Sequence, residues 1–402
     1  MTDPSTPMRS VFLGAAFAAI SALAASPAGP EVRVPFKDYR QGSTPAEALK
    51  AMSLPKGFQV TLVAAEPRVV QPIAMCFDEK GRLWVVEGMS YPRKRGDGKG
   101  KDRIIILEDP LGDGSYGKST VFYEGLDLVS GIEVGHGGVW IGAAPELLFI
   151  PKDAQDKPGK PRVVLDGWAM QDTHETLNSF TWGPDGWLYG RVGISSTSWI
   201  DVPGVEKEKR QPTAGGLWRY HPIKKIFEPY CHGTTNPWGS DWTKHHELLF
   251  INTVIGHGWQ GIHGAHFKRM HGEDPYPFVY ELIDQQADHY HWNTGKKWND
   301  ADGGRGGADD FGGGHAHVGM MIYQGDNWPT AYRDKLMTLN MHGRRVNVEA
   351  IERVGSALVM KHQPDILKSD DPWFRGIELS QGPDGAVTIL DWSDIGECHE
   401  ED

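Results

Sequence analysis

Cysteine is scarce: the chain of 402 residues has 3, Cys76, Cys231 and Cys398. Their spacing fits no zinc site, and C-x-x-C-H is absent, so this segment carries no attached c-type haem. One disulfide would leave one free thiol, and spacing does not say which. Cys76, within an apolar run, reads as a buried inert thiol. The dinucleotide motif G-x-G-x-x-G, the phosphate loop G-x-x-x-x-G-K-[ST] and the nucleophile elbow G-x-S-x-G are also missing. Those absences argue against nicotinamide-linked dehydrogenases, P-loop enzymes and ordinary α/β hydrolases. Basic residues are in the minority, 41 against 53 acidic, for a net charge of −12. That disfavours a general nucleic-acid surface and suits small neutral or cationic ligands. Long apolar runs are lacking too. The exception, VFLGAAFAAISALAA at positions 11–25, is shorter than the ~20 residues of a full span. With Arg9 ahead and Ala24, Ala25 and Ser26 at its end, it reads as a secretory signal peptide over residues 1–25, with Met8 as a second possible start. A membrane anchor is the alternative. Export implies a periplasmic or secreted protein.

The chain is rich in Gly (50), Pro (27) and Trp (15). Residues 26–53 read as a Pro-rich leader or linker ending in a short helix at Ala46–Met52. From Phe58 the periodicity is that of strands. The clearest unit is NSFTWGPDGWLYG, Asn178–Gly190: a strand, a Gly-Pro-Asp-Gly turn and a second strand. Comparable hairpins centre on Trp84, Trp140, Tyr189, Phe250, Leu336 and Val387, spaced by 56, 49, 61, 86 and 51 residues. Repeats of this period, all β and turn-rich, predict a six-bladed β-propeller over residues 54–399, because small sheets bury both faces only by stacking on neighbours. A large irregular β-sandwich is the alternative. The 86-residue interval predicts a His-, Gly- and Trp-rich insertion, residues 256–319, between the fourth and fifth repeat hairpins. Its aromatic content suggests that it folds over one mouth of the ring.

Several side chains could carry chemistry. His174, just before the central hairpin, suits a general base at the mouth, with Asp172 or Glu175 to orient it. Arg191 and Arg344, with His342 and Asn178, are the candidate cofactor-binding residues, since arginine pairs with carboxylates; a salt bridge between blades is the alternative for the arginines, and a backbone-binding role for Asn178. The H-x-H pairs His289/His291 and His315/His317 suit a transition metal or the wall of a polar pocket. Asp300 and Asp302, in the run Asn299–Gly304, offer hard oxygens for Ca²⁺, or form a solvated acidic loop.

The stretches LPKGFQVTLVAAEP, FDEKGRLWVVE, HETLNSFTWGPDGWLYG, ELIDQQADHYHW, GHAHVGMMIYQGDNWP, NMHGRRVN, DPWFRGIELSQGPDG and DWSDIGECH give the chain a family likeness from Leu54 to His399. It resembles the propeller domain of the membrane-bound dehydrogenases of planctomycetes and verrucomicrobia, which look like distant relatives of quinoprotein glucose and sorbosone dehydrogenases. The resemblance implies a six-bladed propeller in an exported protein. It also implies oxidation of a sugar or related alcohol by hydride transfer to pyrroloquinoline quinone (PQQ), with His174 taking the hydroxyl proton. Arg191 and Arg344 would meet the quinone carboxylates, Ca²⁺ would activate its carbonyl, and a separate cytochrome would accept the electrons. The family's calcium ligands have no residue-level match in this chain, and the insertion departs from the sugar dehydrogenases. Two further readings stand beside this one: a non-catalytic carbohydrate- or protein-binding propeller, and a metal-assisted glycan hydrolase or lyase using the His-rich insertion.

Overall fold

In the computed structural model, which describes residues 12–17, 42–96, 98–111, 114–276, 279, 281–296 and 306–396, the predicted turns are organised by their aspartates. Asp185 Oδ1 accepts the Trp187 N–H at 3.3 Å, Oδ2 accepts the Tyr189 hydroxyl at 2.8 Å, and Gly186 takes φ 78°. Asp78 repeats the device: Oδ1 accepts the N–H groups of Lys80 and Arg82, and Oδ2 the indole N–H of Trp84, all at 2.9 Å. Asp384 accepts the Ala386 N–H at 3.0 Å. In the first two turns one short carboxylate both closes the turn and anchors a bulky side chain of the next strand.

The strands so connected form six sheets of three to five strands, plus one two-stranded pair. One edge strand of each large sheet, taken in turn, is Pro72–Phe77, Val129–Gly135, Asn178–Trp182, Asn236–Trp242, His317–Ile322 and Gly376–Gln381. These inner strands neighbour one another in chain order, and the last lies beside the first. Residues from all six line one cavity of about 370 Å³. The protein is almost entirely β, an arrangement consistent with a propeller. Six-residue Pro45–Lys50 is the one α-helix among the described residues, closed by a reciprocal Thr44–Glu47 capping box. No helix there is long and apolar enough to cross a membrane.

Aromatic side chains wedge between sheets. Trp168, Trp218 and Phe180 meet edge to face, with Trp168–Trp218 centroids 5.2 Å apart. They need flat ground opposite, and glycine supplies it: a Cβ on Gly190 would lie 2.1 Å from the Trp218 ring, and one on Gly142 2.8 Å from Phe180. At the chain's start, Phe12–Phe17 lies in the last sheet, parallel to Val387–Asp391 on one side and to Gln59–Ala65 on the other.

Two described strands enter the stretch expected as an insertion, residues 256–319. Gly258–Gly261 pairs with Leu248–Ile251 as the third strand of the fourth sheet, and His317–Ile322 is the inner strand of the fifth. Glycine-rich flanks hid both strands, yet Trp259 is fully buried near Phe250 and Phe267. Between Gly261 and His317 no further strand occurs among the described residues.

Candidate functional site

Neighbouring inner strands run in the same sense. The Ser130 hydroxyl donates to Leu177 O at the start of one pair, and the Trp182 indole to Val134 O at its end. Ile194 N donates to Thr235 O, and Val254 N to His315 O, so the loops after second strands meet the residues before the next inner strands. His174, which precedes an inner strand, therefore shares one end of the molecule with Tyr91, Trp392, His257 and His315. This end of the strands is the mouth at which His174 stands.

At that mouth His174 Nδ1 lies 2.9 Å from Asp172 Oδ1, which also accepts the His174 backbone N–H at 2.9 Å. This bond holds Nδ1 protonated and places the lone pair on Nε2. Tyr91 packs edge-on against the imidazole and against Trp392, with centroids 5.5 Å away in each case. Loops of three sheets thus frame the histidine. Of its two predicted orienting groups, Asp172 makes the contact. Glu175 instead turns inward to accept the Ser195 N–H, and burial raises its carboxyl to about 7.

Arg191 is buried away from solvent, and none of its guanidinium nitrogens has a hydrogen-bond partner. Desolvation lowers it to about 9, against the attraction of Glu378, Asp241 and Glu133. Those three acids line the axial cavity, where desolvation raises Glu133 and Glu378 to about 8 and Asp241 to about 6. Asn178 donates to Thr176 O at 2.8 Å, while its buried Oδ1 has no partner. His342 is buried edge-on to His315 at 4.6 Å, and desolvation lowers it to about 4. Arg344 sits at φ 49° in the turn leading to the Arg345–Val354 strand. Of the four predicted cofactor residues, Arg191 and Asn178 are register partners on adjacent strands of one sheet, and His342 and Arg344 lie in a turn of another.

The histidines of the insertion are sorted more sharply. His257, His289, His291 and Glu349 place one ligand atom each within 4.8 Å of one another. Glu349 Oε1 lies 3.5 Å from His257 Nε2, 3.4 Å from His289 Nε2, 3.3 Å from His291 Nε2 and 3.6 Å from His362 Nδ1. A His/Glu set able to hold a metal ion is thus present. His291 Nδ1 meets His317 Nε2 at 2.7 Å, so His317 backs the set from outside. His315, predicted alongside it, turns away toward Trp292 and His342. The two H-x-H pairs differ: His289 and His291 both turn Nε2 toward Glu349, whereas His315, which lies just before the His317–Ile322 strand, diverges from His317. The calcium candidates Asp300 and Asp302 lie outside the described residues. Sequence reasoning missed Glu349 and His362, which sit on strands distant in the chain; His257 was visible only as one histidine among many.

No curated protein matches the chain. Solved structures do match in fold. The PQQ-bound aldose sugar dehydrogenase of Streptomyces coelicolor is 14% identical, with a TM-score of 0.52 over 83% of this chain and 91% of that one. The holo PQQ domain of pyranose dehydrogenase from Coprinopsis cinerea is 14% identical, with a TM-score of 0.52 over 85% and 94%. A Trichoderma reesei protein of carbohydrate-active enzyme family AA12 is 12% identical, with a TM-score of 0.54 over 89% and 98%. At these identities the likeness is one of fold alone. A family model covers residues 44–395, and by that match the chain belongs to DUF7133, a domain of unknown function.

Proposed function

We propose that this protein is a quinoprotein-like dehydrogenase on a six-bladed propeller, oxidising a sugar or related alcohol at the His174 mouth. The carrying observation is the His174–Asp172 pair, 2.9 Å apart, on a loop framed by Tyr91 and Trp392. Asp172 fixes the tautomer whose Nε2 can take a hydroxyl proton, and stabilises the imidazolium that forms. Tyr91 and Trp392 offer aromatic walls to a sugar ring.

PQQ is an anionic, planar group, and two features of the site suit it. The unpartnered Arg191 guanidinium is short of an acceptor, which a carboxylate supplies, and Asn178 Oδ1, an acceptor buried without a partner, is open to a ring N–H of the group. When bound, PQQ supplies the hydride acceptor. Arg191 would hold its charge, and His174 and Asp172 would hold the substrate proton. Of the raised acids around Arg191, Glu133 and Glu378 are largely protonated near neutrality and so repel an incoming anion less than carboxylates would. Export to the periplasm or medium, Ca²⁺ beside the quinone and a separate cytochrome as electron acceptor complete the reading.

The test mixes the purified protein with PQQ and Ca²⁺, then follows quinone absorbance and dye reduction across a panel of sugars and polyols. We expect a perturbed quinone spectrum, and a loss of about 10²–10⁴-fold in sugar-dependent dye reduction for His174→Asn, the scale of a general base. No quinone binding and no sugar-dependent reduction would sink the reading.

A further inference from the structure

We propose that His257, His289, His291, Glu349 and His362 hold one divalent first-row transition-metal ion. The site is independent of the quinone reading. Its donors come from three places: His257 follows the Leu248–Thr253 strand, His289 and His291 lie in the inserted segment, and Glu349 and His362 stand on adjacent strands of the fifth sheet, opposite each other in register.

Spacing carries the assignment. Donors around a tetrahedral ion at ~2.0–2.1 Å sit about 3.3 Å apart, and closer in higher coordination. The four distances from Glu349 Oε1 run from 3.3 to 3.6 Å. His291 Nε2 is 3.1 Å from His289 Nε2 and 3.0 Å from His362 Nδ1.

Hydrogen bonding does not account for the cluster. Both Glu349 oxygens and His257 Nε2 are buried without a hydrogen-bond partner, although ring nitrogens crowd the carboxylate. An unsatisfied buried carboxylate is costly, and a cation at the shared focus removes the cost. The outer contacts fit as well. His289 Nδ1 meets Asp288 Oδ1 at 3.0 Å and His291 Nδ1 meets His317, so both rings are held from behind with Nε2 turned inward. Such backing is usual for metal-bound histidine. An imidazole-rich set with one carboxylate favours zinc, iron or copper over calcium or magnesium. Because the donors span two sheets and the inserted segment, the ion would also pin that segment to the propeller.

The full chain is purified, analysed for metals, stripped with a chelator and titrated with Co²⁺. One metal per chain as purified, and visible cobalt bands on titration, are expected. Glu349→Gln and His291→Ala should lose the metal and the bands, with native circular dichroism confirming the fold. His317→Ala should weaken cobalt binding about 10–100-fold, the scale of an outer partner. His315→Ala should keep both. Stripping should also expose the segment between Gly261 and His317 to a protease, and added Zn²⁺ should protect it. Absence of bound metal and of cobalt bands in the wild-type chain would overturn the proposal; so would full metal retention by Glu349→Gln. Metal without quinone binding would spare this site and remove the dehydrogenase reading, and the reverse result would do the opposite.

Discussion

At the scale of single residues, the turn aspartates do more than shape hairpins. Asp78 binds Arg82, and Arg82 reaches on to Asp156 at 2.7 Å, which also meets Lys152 at 2.8 Å. Arg82 holds the Asp156 carboxyl well below the ordinary carboxylate range, outweighing its partial burial. A depressed carboxylate contributes stability above its unfolded value of ~3.9 and loses it as pH falls toward the folded value. Asp156→Asn should therefore cost about 1–3 kcal/mol at neutral pH, the range of hydrogen bonds to charged groups. Urea titrations should show the gap from wild type closing below about pH 4. A gap unchanged down to acid pH would mean that the ion pairs contribute little. These turns were legible because Asp and Gly announce their backbone geometry locally. Glu349 was not. In Arg345–Val354, Val346 and Val348 form one buried face, and Asn347 and Glu349 sit on the other, where polar residues usually meet water. Both are fully buried, and the histidines that surround Glu349 come from separate segments of the chain. A carboxylate on an ordinary alternating strand gives no local sign of such a partner.

At the scale of elements, strand positions and hairpins followed from periodicity, and the ends of the insertion did not. Short glycine-flanked strands such as Gly258–Gly261 carry too few bulky residues to show an alternation. Glycine's role inside strands is sterically testable. Gly190→Ala pushes a methyl group into the Trp218 ring, which is itself fully buried. Overpacking of this kind costs about 1–3 kcal/mol, to be read as a lower urea midpoint with an unchanged slope. An unaltered midpoint would show that the indole can shift freely. The inner strands carry a second consequence. Glu378, on Gly376–Gln381, accepts the Met75 N–H at 2.7 Å while desolvation raises it to about 8. A carboxyl raised in the folded state contributes most below its unfolded value of ~4.3, and that contribution is lost as pH climbs to the folded value. The melting temperature of the wild type should accordingly decline between about pH 5 and 8, and Glu378→Gln should flatten the decline. Parallel slopes for the two proteins would assign the titration elsewhere.

At the scale of the whole molecule, the last sheet joins the two ends of the described chain. Every other described strand pair is antiparallel, but Phe12–Phe17 runs parallel to both of its neighbours. Its flanking strands, Val387–Asp391 and Gln59–Ala65, thus run parallel to each other, the relation of second and fourth strands in an antiparallel sheet. Phe12–Phe17 occupies the position between them. The same residues lie in the apolar segment read as a signal peptide, so export with cleavage would remove this strand and leave two facing edges unpaired. Unpaired edges lose backbone hydrogen bonds and invite pairing with another chain. A chain beginning at residue 27 should therefore melt several degrees below the full chain, or associate, when the two are compared by calorimetry and by light scattering. Mass analysis of the protein recovered from an exporting host shows which form exists there. If the shortened chain is monomeric and equally stable, then Phe12–Phe17 contributes nothing to closure, and Gln59–Ala65 is held by its packing of Val60 and Leu62 against the core that includes Val387 and Ile389.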